Sequence, residues 1–136
     1  MKSQLIISVL CVSMIVVACK KQETGNSPKS APIHRTIQFV FYTNKDVSGD
    51  QHNISFDLFI ENSKHDILWD SALAPMKVKD IPAAENKIIV QKLVPNDDNS
   101  LLKVGFHYSI EDVGNSSHFE PSIPGQVFKI VDFNFQ

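Results

Sequence analysis

Cysteine is nearly missing from this chain of 136 residues: Cys11 and Cys19 are the only two, and both sit in an apolar N-terminal stretch. Everything beyond Cys19 therefore lacks a disulfide, a thiolate metal site and a cysteine nucleophile. Excess basic charge is missing too. Lys and Arg total 13 against 15 Asp and Glu, a net charge of -2. Phosphate neutralisation needs a concentrated cationic face, so no nucleic-acid partner is expected. Histidine occurs five times but never as H-x-H or H-x-x-x-H, the spacings that set two imidazoles on one face. There is no G-x-S-x-G nucleophile elbow, and Trp69 is the single tryptophan. No interval holds a long amphipathic helix, so parallel βαβ units are not expected.

What is present begins at the N-terminus. Lys2 supplies a positive start, Leu5 to Val17 is almost wholly apolar, and Val16-Val17-Ala18-Cys19 ends the run just before Lys20 and Lys21. Crossing the hydrocarbon of a bilayer takes about 20 apolar residues, and this run is several short of that. A positive start, an apolar stretch and a small residue before the break are the anatomy of a signal peptide.

The end of the run resembles the lipobox of bacterial lipoproteins: an aliphatic residue, a variable one, a small one, then cysteine. Val16, Val17, Ala18 and Cys19 fill those places, with Val16 where leucine is commoner. The resemblance covers about the first 21 residues and implies that residues 1–18 are removed. It further implies that Cys19 takes a thioether-linked diacylglycerol and an N-acyl chain. No other cofactor is expected. Each buried methylene contributes about 0.8 kcal/mol, so such an anchor leaves the membrane slowly. In that family an aspartate after the cysteine favours retention at the inner membrane. Lys20 is not aspartate, which leans toward the outer membrane, on its periplasmic or surface side.

Residues 19–34 read as a tether. Lys20 to His34 is rich in Lys, Gln, Ser, Asn, Gly and Pro, with no apolar period to order it. About 15 such residues span roughly 20 Å as a coil and at most about 50 Å stretched.

From residue 35 to 136 the period is two. Ile37, Phe39 and Phe41 alternate with Thr36, Gln38 and Tyr42, and Ile54, Phe56, Leu58 and Ile60 with Ser55, Asp57, Phe59 and Glu61. Further strands are predicted over Ile67 to Leu73, Lys87 to Val94, Leu101 to Ile110 and Val127 to Phe135. The segments 44–53, 61–66, 95–100 and 112–125 collect the Gly, Asn, Asp, Ser and Pro that turns require. Asp80 to Asn86 is the one place where a helical turn is expected. About six to eight antiparallel strands, each with one apolar face, bury those faces most economically as a β-sandwich, immunoglobulin-like or transthyretin-like, with a small barrel as the alternative. If consecutive strands run up and down, 44–53, 74–86 and 111–126 share one end. Long loops on a rigid sandwich make that end the expected place of recognition.

Candidate chemistry is sparse. Asn44, Asp46, Ser48 and Gly49 start like a calcium loop, but the twelfth place is Ser55 rather than a bidentate glutamate, and a hairpin turn fits better. Asp46, Asp50, His52, His118 and Glu120 are the candidate binding residues, on the expectation that 44–53 and 112–125 are neighbouring loops; no metal is assigned to them. Trp69 suits a core position better than a sugar platform, although Trp69 with an exposed Tyr42 is the aromatic pair a glycan would need. His65, Asp66 and Ser71 are too local for a catalytic triad. The hydroxyls of Asn115-Ser116-Ser117-His118 are expected to satisfy backbone groups. Asp97 and Asp98 are adjacent, which does not suit carboxylates that must face each other across a cleft. Asn53-Ile54-Ser55 and Asn115-Ser116-Ser117 match the glycosylation acceptor, a match that carries no weight in a bacterial lipoprotein.

The expectation is a lipid-anchored protein of the bacterial envelope, non-enzymatic, that binds or helps assemble another envelope protein. A glycan- or metal-binding module is the second reading and a hydrolase the third.

Overall fold

A computed structural model describes residues 34–95 and 100–136. The signal-peptide segment, Cys19, nearly all of the tether, and Asp97 and Asp98 lie outside the described residues.

Eight strands follow in order: β1 His34–Thr43, β2 Asn53–Asn62, β3 Ile67–Ala72, β4 Met76–Lys77, β5 Ile88–Pro95, β6 Leu102–Ile110, β7 Gly114–Ser122 and β8 Phe128–Phe135. They form two sheets. One has three strands in the order β5-β1-β8; the other has five, β3-β2-β6-β7, with β4 continuing beside β2. This is the all-β sandwich that period-two alternation demands. The six long alternating segments all become strands, with ends within a residue or two of expectation.

Two features depart from the expected pattern. Residues 114–122, read as part of a turn, pair along their whole length with β6, from Leu102 opposite Ser122 to Ile110 opposite Gly114. Gly, Asn, Ser and Pro are poor strand formers, but an edge strand needs only one good neighbour. The long apolar β6 provides it, and an edge tolerates Pro121. The second departure is direction: β1 and β8 pair in parallel, Thr36 opposite Phe128 through Thr43 opposite Phe135, so the three-stranded sheet is mixed.

The core lies between the sheets. Phe39 and Phe41 from β1 meet Phe56, Leu58 and Ile60 from β2 and Val104 and Phe106 from β6, all buried. Phe41 is the hub, with ring centroids 4.8 Å from Phe56 and 4.9 Å from Phe106. Phe133 from β8 meets Phe106 edge-on at 4.9 Å. Offset and edge-to-face contacts of this kind add to the burial of ring area.

The two ends of the sandwich differ. At one end β1 begins, so the preceding residues join there, together with the turns near 63–66, 100–101 and 123–127. The β2–β3 turn there is tied by Asn62, whose Oδ1 accepts the amides of Lys64 at 2.8 Å and Asp66 at 3.0 Å. The opposite end carries 44–52, the segment 73–87 and the tight turn 111–113. The helical turn expected within 80–86 forms as a 3-10 turn over Ala84–Asn86, and a second 3-10 turn, Val78–Asp80, precedes it. Val78 and Ile81 plug that end of the core.

Candidate functional site

The loops at the far end lock onto one another through the backbone. Val78 N donates to His52 O at 2.9 Å, Lys79 N to Asp50 O at 3.1 Å and Glu111 N to Asn53 O at 2.9 Å. Segments 44–53 and 74–86 therefore do share an end, joined there by 111–113 rather than by 111–126.

The sequence-derived binding residues fall into two separate places. Asp46 is a turn residue, its Oδ1 accepting the Ser48 amide at 3.0 Å. Asp50 Oδ1 accepts the amide of His52 at 3.0 Å and lies 2.7 Å from His52 Nδ1. Hydrogen bonds from Ser48 lower the pKa of Asp46, and those from the backbone and ring of His52 lower that of Asp50. His118 and Glu120 are elsewhere, because residues 114–122 are a strand. Cross-strand pairing sets His118 opposite Phe106 and Glu120 opposite Val104, several residues in from the loop end. The His118 ring lies 5.4 Å from Phe106 and 5.8 Å from Phe133. Glu120 Oε1 is 3.3 Å from His118 Nε2, and its Oε2 accepts a hydrogen bond from Lys129 Nζ. Desolvation raises the pKa of Glu120, but Lys129 and then His118 outweigh it and hold the carboxyl below its ordinary value. His52 and His118 thus do not converge. Among the described residues no three or more His, Cys, Asp or Glu are grouped to hold a metal ion.

The aromatic pair does not form either. Trp69 points into the sandwich, its ring 5.9 Å from Phe39, with Lys92 Nζ 5.7 Å from the ring centroid. Tyr42 lies on the outside of the three-stranded sheet, where Lys87 approaches its ring at 5.8 Å. Desolvation and the Asp132 carboxylate raise the Tyr42 pKa.

A polar groove that no local motif announces crosses the outer face of the five-stranded sheet. Alternation aims Ser55 and Asp57 of β2, His107 and Ser109 of β6, and Asn115 and Ser117 of β7 to that face. Register then lines them up in rows: Asp57 beside His107 beside Ser117, and Ser55 beside Ser109 beside Asn115. His107 Nδ1 lies 2.7 Å from Ser117 Oγ, so this hydroxyl serves a side chain rather than the backbone. The imidazole is stacked on Phe59 at 5.0 Å and 22°. Stacking explains why Phe59, on the outer face by alternation, is only 6% exposed. The groove encloses about 410 Å³ between Asp57, His107, Ser109, Asn115 and Ser117. Through Ser109 it continues into a shallower hollow of about 250 Å³ bounded by Asn53, Ser55, Pro75 and Glu111. Asn53 Nδ2 donates to Glu111 Oε2 at 2.6 Å, fixing that far wall.

The Asp57, His107, Ser117 row has the composition of a hydrolytic triad but not its layout. A triad uses one imidazole nitrogen for the carboxylate and the other for the hydroxyl, and supplies amides to stabilise an oxyanion. Here the Nδ1 that a triad turns to the carboxylate faces the serine instead. What the groove and its adjoining hollow offer is recognition: the carboxylates of Asp57 and Glu111, several hydroxyls, the amides of Asn53 and Asn115 and the His107 imidazole, on or beside rigid strands. No family model, curated protein or solved structure matches the chain.

Proposed function

We propose that this chain is a lipid-anchored, non-enzymatic binding module of the bacterial envelope, which holds another envelope protein through its polar groove and adjoining loops. The observation that carries the reading is the placement of the groove. Its rows and the Asn53–Glu111 wall lie toward the end opposite the one where the residues after Cys19 join the fold. An anchored domain with its recognition surface turned away from the anchor raises the local concentration of its partner near the membrane without new contacts. The Val16-Val17-Ala18-Cys19 pattern supports the anchor, and Lys20 favours the outer membrane.

Affinity purification of the full chain, cross-linked in cells and compared with a His107→Ala, Asp57→Asn variant, tests the binding role. An envelope protein enriched with the wild type and depleted with the variant is the expected outcome. Equal recovery with both counts against the groove. Cys19→Ser tests the anchor: it should abolish lipid labelling and release the protein from the membrane fraction.

A glycan ligand is the second reading, favoured by the hydroxyl and amide lining of the groove. Retention on immobilised envelope polysaccharide, lost in the same groove variant, would select it.

A further inference from the structure

Eleven large apolar side chains among the described residues are exposed, and they are not spread evenly. Eight of them gather at the end where β1 begins. On the five-stranded side these are Ile67 and Leu68 at the start of β3, Leu101 just before β6, and Phe119, three residues in from the end of β7. On the other side they are Leu93 and Phe128, both opposite Thr36, with Ile123 and Val127 in the β7–β8 connection. Of the remaining three, Val113 lies at the opposite tip, Ile89 is the second residue of β5 toward that same end, and Ile130 is in mid-strand. Isolated exposed apolar residues are normal, but a ring of them around one end marks an interaction surface. An apolar cleft of about 330 Å³ between Leu101, Phe119, Pro121 and the stem of Lys103 opens in the same place.

We infer that this end of the sandwich docks on the bilayer interface, its apolar rim seated among the lipid headgroups and acyl-chain boundary. The inference rests on the reading of Cys19 as the anchored residue. The occupant follows from where the chain enters: His34 begins β1 at this end, and the residues between Cys19 and His34 reach at most about 50 Å. The end nearest the anchor is therefore the end carrying the apolar rim, and a lipid surface is the partner always within its reach. Side chains such as Leu, Ile and Phe gain from entering the interfacial region in proportion to the apolar area they bury there. Rigid backing holds the rim together. Arg35 on β1 donates to the carbonyl and hydroxyl of Ser122 beside Ile123, and to the carbonyl of Ser100 beside Leu101. Docking converts a tether that only limits distance into an orientation, with the groove and the interlocked loops presented away from the membrane.

The test uses the full chain purified from membranes and reconstituted in vesicles of phosphatidylethanolamine and phosphatidylglycerol containing nitroxide-labelled lipid. In a Trp69→Phe background, Ile123→Trp and Val113→Trp each place one fluorophore at an already exposed site. Quenching of I123W several-fold above that of V113W is the expected result. Equal quenching at both, or stronger quenching of V113W, overturns the inference. So does quenching at neither site, because this end then does not reach the lipid. Hydrogen exchange on the wild type probes the same contact without substitution: vesicles should slow exchange near 63–68 and 123–127 and leave 111–113 unchanged. The mass of the N-terminal peptide reads the anchor separately. Diacylglyceryl-Cys19 with equal quenching sinks the docking alone, whereas unmodified Cys19 with residues 1–18 retained sinks the anchor reading.

Discussion

Arg35 Nη1 on β1 donates hydrogen bonds of 3.1 Å to both the carbonyl and the hydroxyl of Ser122 at the end of β7, tying the three-stranded sheet to the edge of the five-stranded one. The side chain is fully buried, and burial pushes the pKa of the guanidinium down. A buried charge is tolerated only where its hydrogen bonds are made. Removing it leaves buried acceptors without their donor. Arg35→Ala should cost about 3 kcal/mol and Ser122→Ala about 1 kcal/mol in urea unfolding. Arg35→Met, which keeps most of the volume, should lie closer to wild type than Arg35→Ala. The reverse order would mean that packing plays no part in what Arg35 contributes.

Gly105 has no room for a side chain. A β-carbon there would sit 2.2 Å from the His118 carbonyl oxygen and 2.6 Å from Phe119 Cβ. Both belong to the paired strand β7, so the clash is relieved only by parting β6 from β7. Gly105→Ala should destabilise the fold by roughly 1–3 kcal/mol and speed amide exchange along β7 more than along β2. Unchanged exchange on β7 would refute this account.

Phe106 touches Phe41, Phe56 and Phe133 with centroids between 4.9 and 5.7 Å. Phe106→Ala therefore opens a cavity that three rings must fill at once. A loss of about 3–5 kcal/mol is expected, read as a shift of the urea midpoint with little change in slope.

The Glu120–Lys129 pair makes stability depend on acid. Because the folded state lowers the Glu120 pKa, its contribution is complete above the ordinary carboxylate range. It fades as pH falls through the lowered value. Wild type should melt above Glu120→Gln at neutral pH, and the gap should close as pH drops below about 4. A gap that persists into strong acid would show that the charge plays no part.

Substitutions in the groove should separate binding from stability. Asp57 and His107 are exposed, so Asp57→Asn and His107→Ala should move the unfolding free energy by no more than about 0.5 kcal/mol. Each should weaken partner binding roughly tenfold, the worth of one hydrogen bond to a charged or polar partner. Binding lost only together with folding would mean that the groove is not the binding surface.

Much of the architecture is legible in the sequence because it is local. Alternation of Ile37, Phe39 and Phe41, and of Ile54, Phe56, Leu58 and Ile60, decides the faces of β1 and β2 before any partner is known. The same rule identifies β6 and β8. It fails for Gly114–Ser122, whose residues individually prefer turns. That segment is a strand because β6 beside it has unpaired amides and carbonyls and a buried face to extend. Propensity is a weak guide where a long neighbour supplies the ladder.

The candidate site is less legible for a related reason. Asp46, Asp50 and His52 stand out in the sequence as polar loop residues, yet in the fold they are turn and capping groups. His118 and Glu120 would join them only if residues 114–122 were a loop, and the pairing with β6 carries both away along the sheet. Asp57, His107 and Ser117 carry a visible signal, polar residues at outward positions. Nothing in their separate neighbourhoods shows that they lie side by side.

The sequence by itself determined what nearest neighbours along the chain can decide: the apolar run ending at Cys19, the period-two strands and their inward faces. Tertiary structure alone decided what depends on register between distant segments. That includes the parallel pairing of β1 with β8, the strand at 114–122, the polar groove on the outer sheet face, and the apolar rim around the end where the chain enters. A strand's own residues choose which face turns inward, but only its hydrogen-bonded partners choose which residues stand beside them.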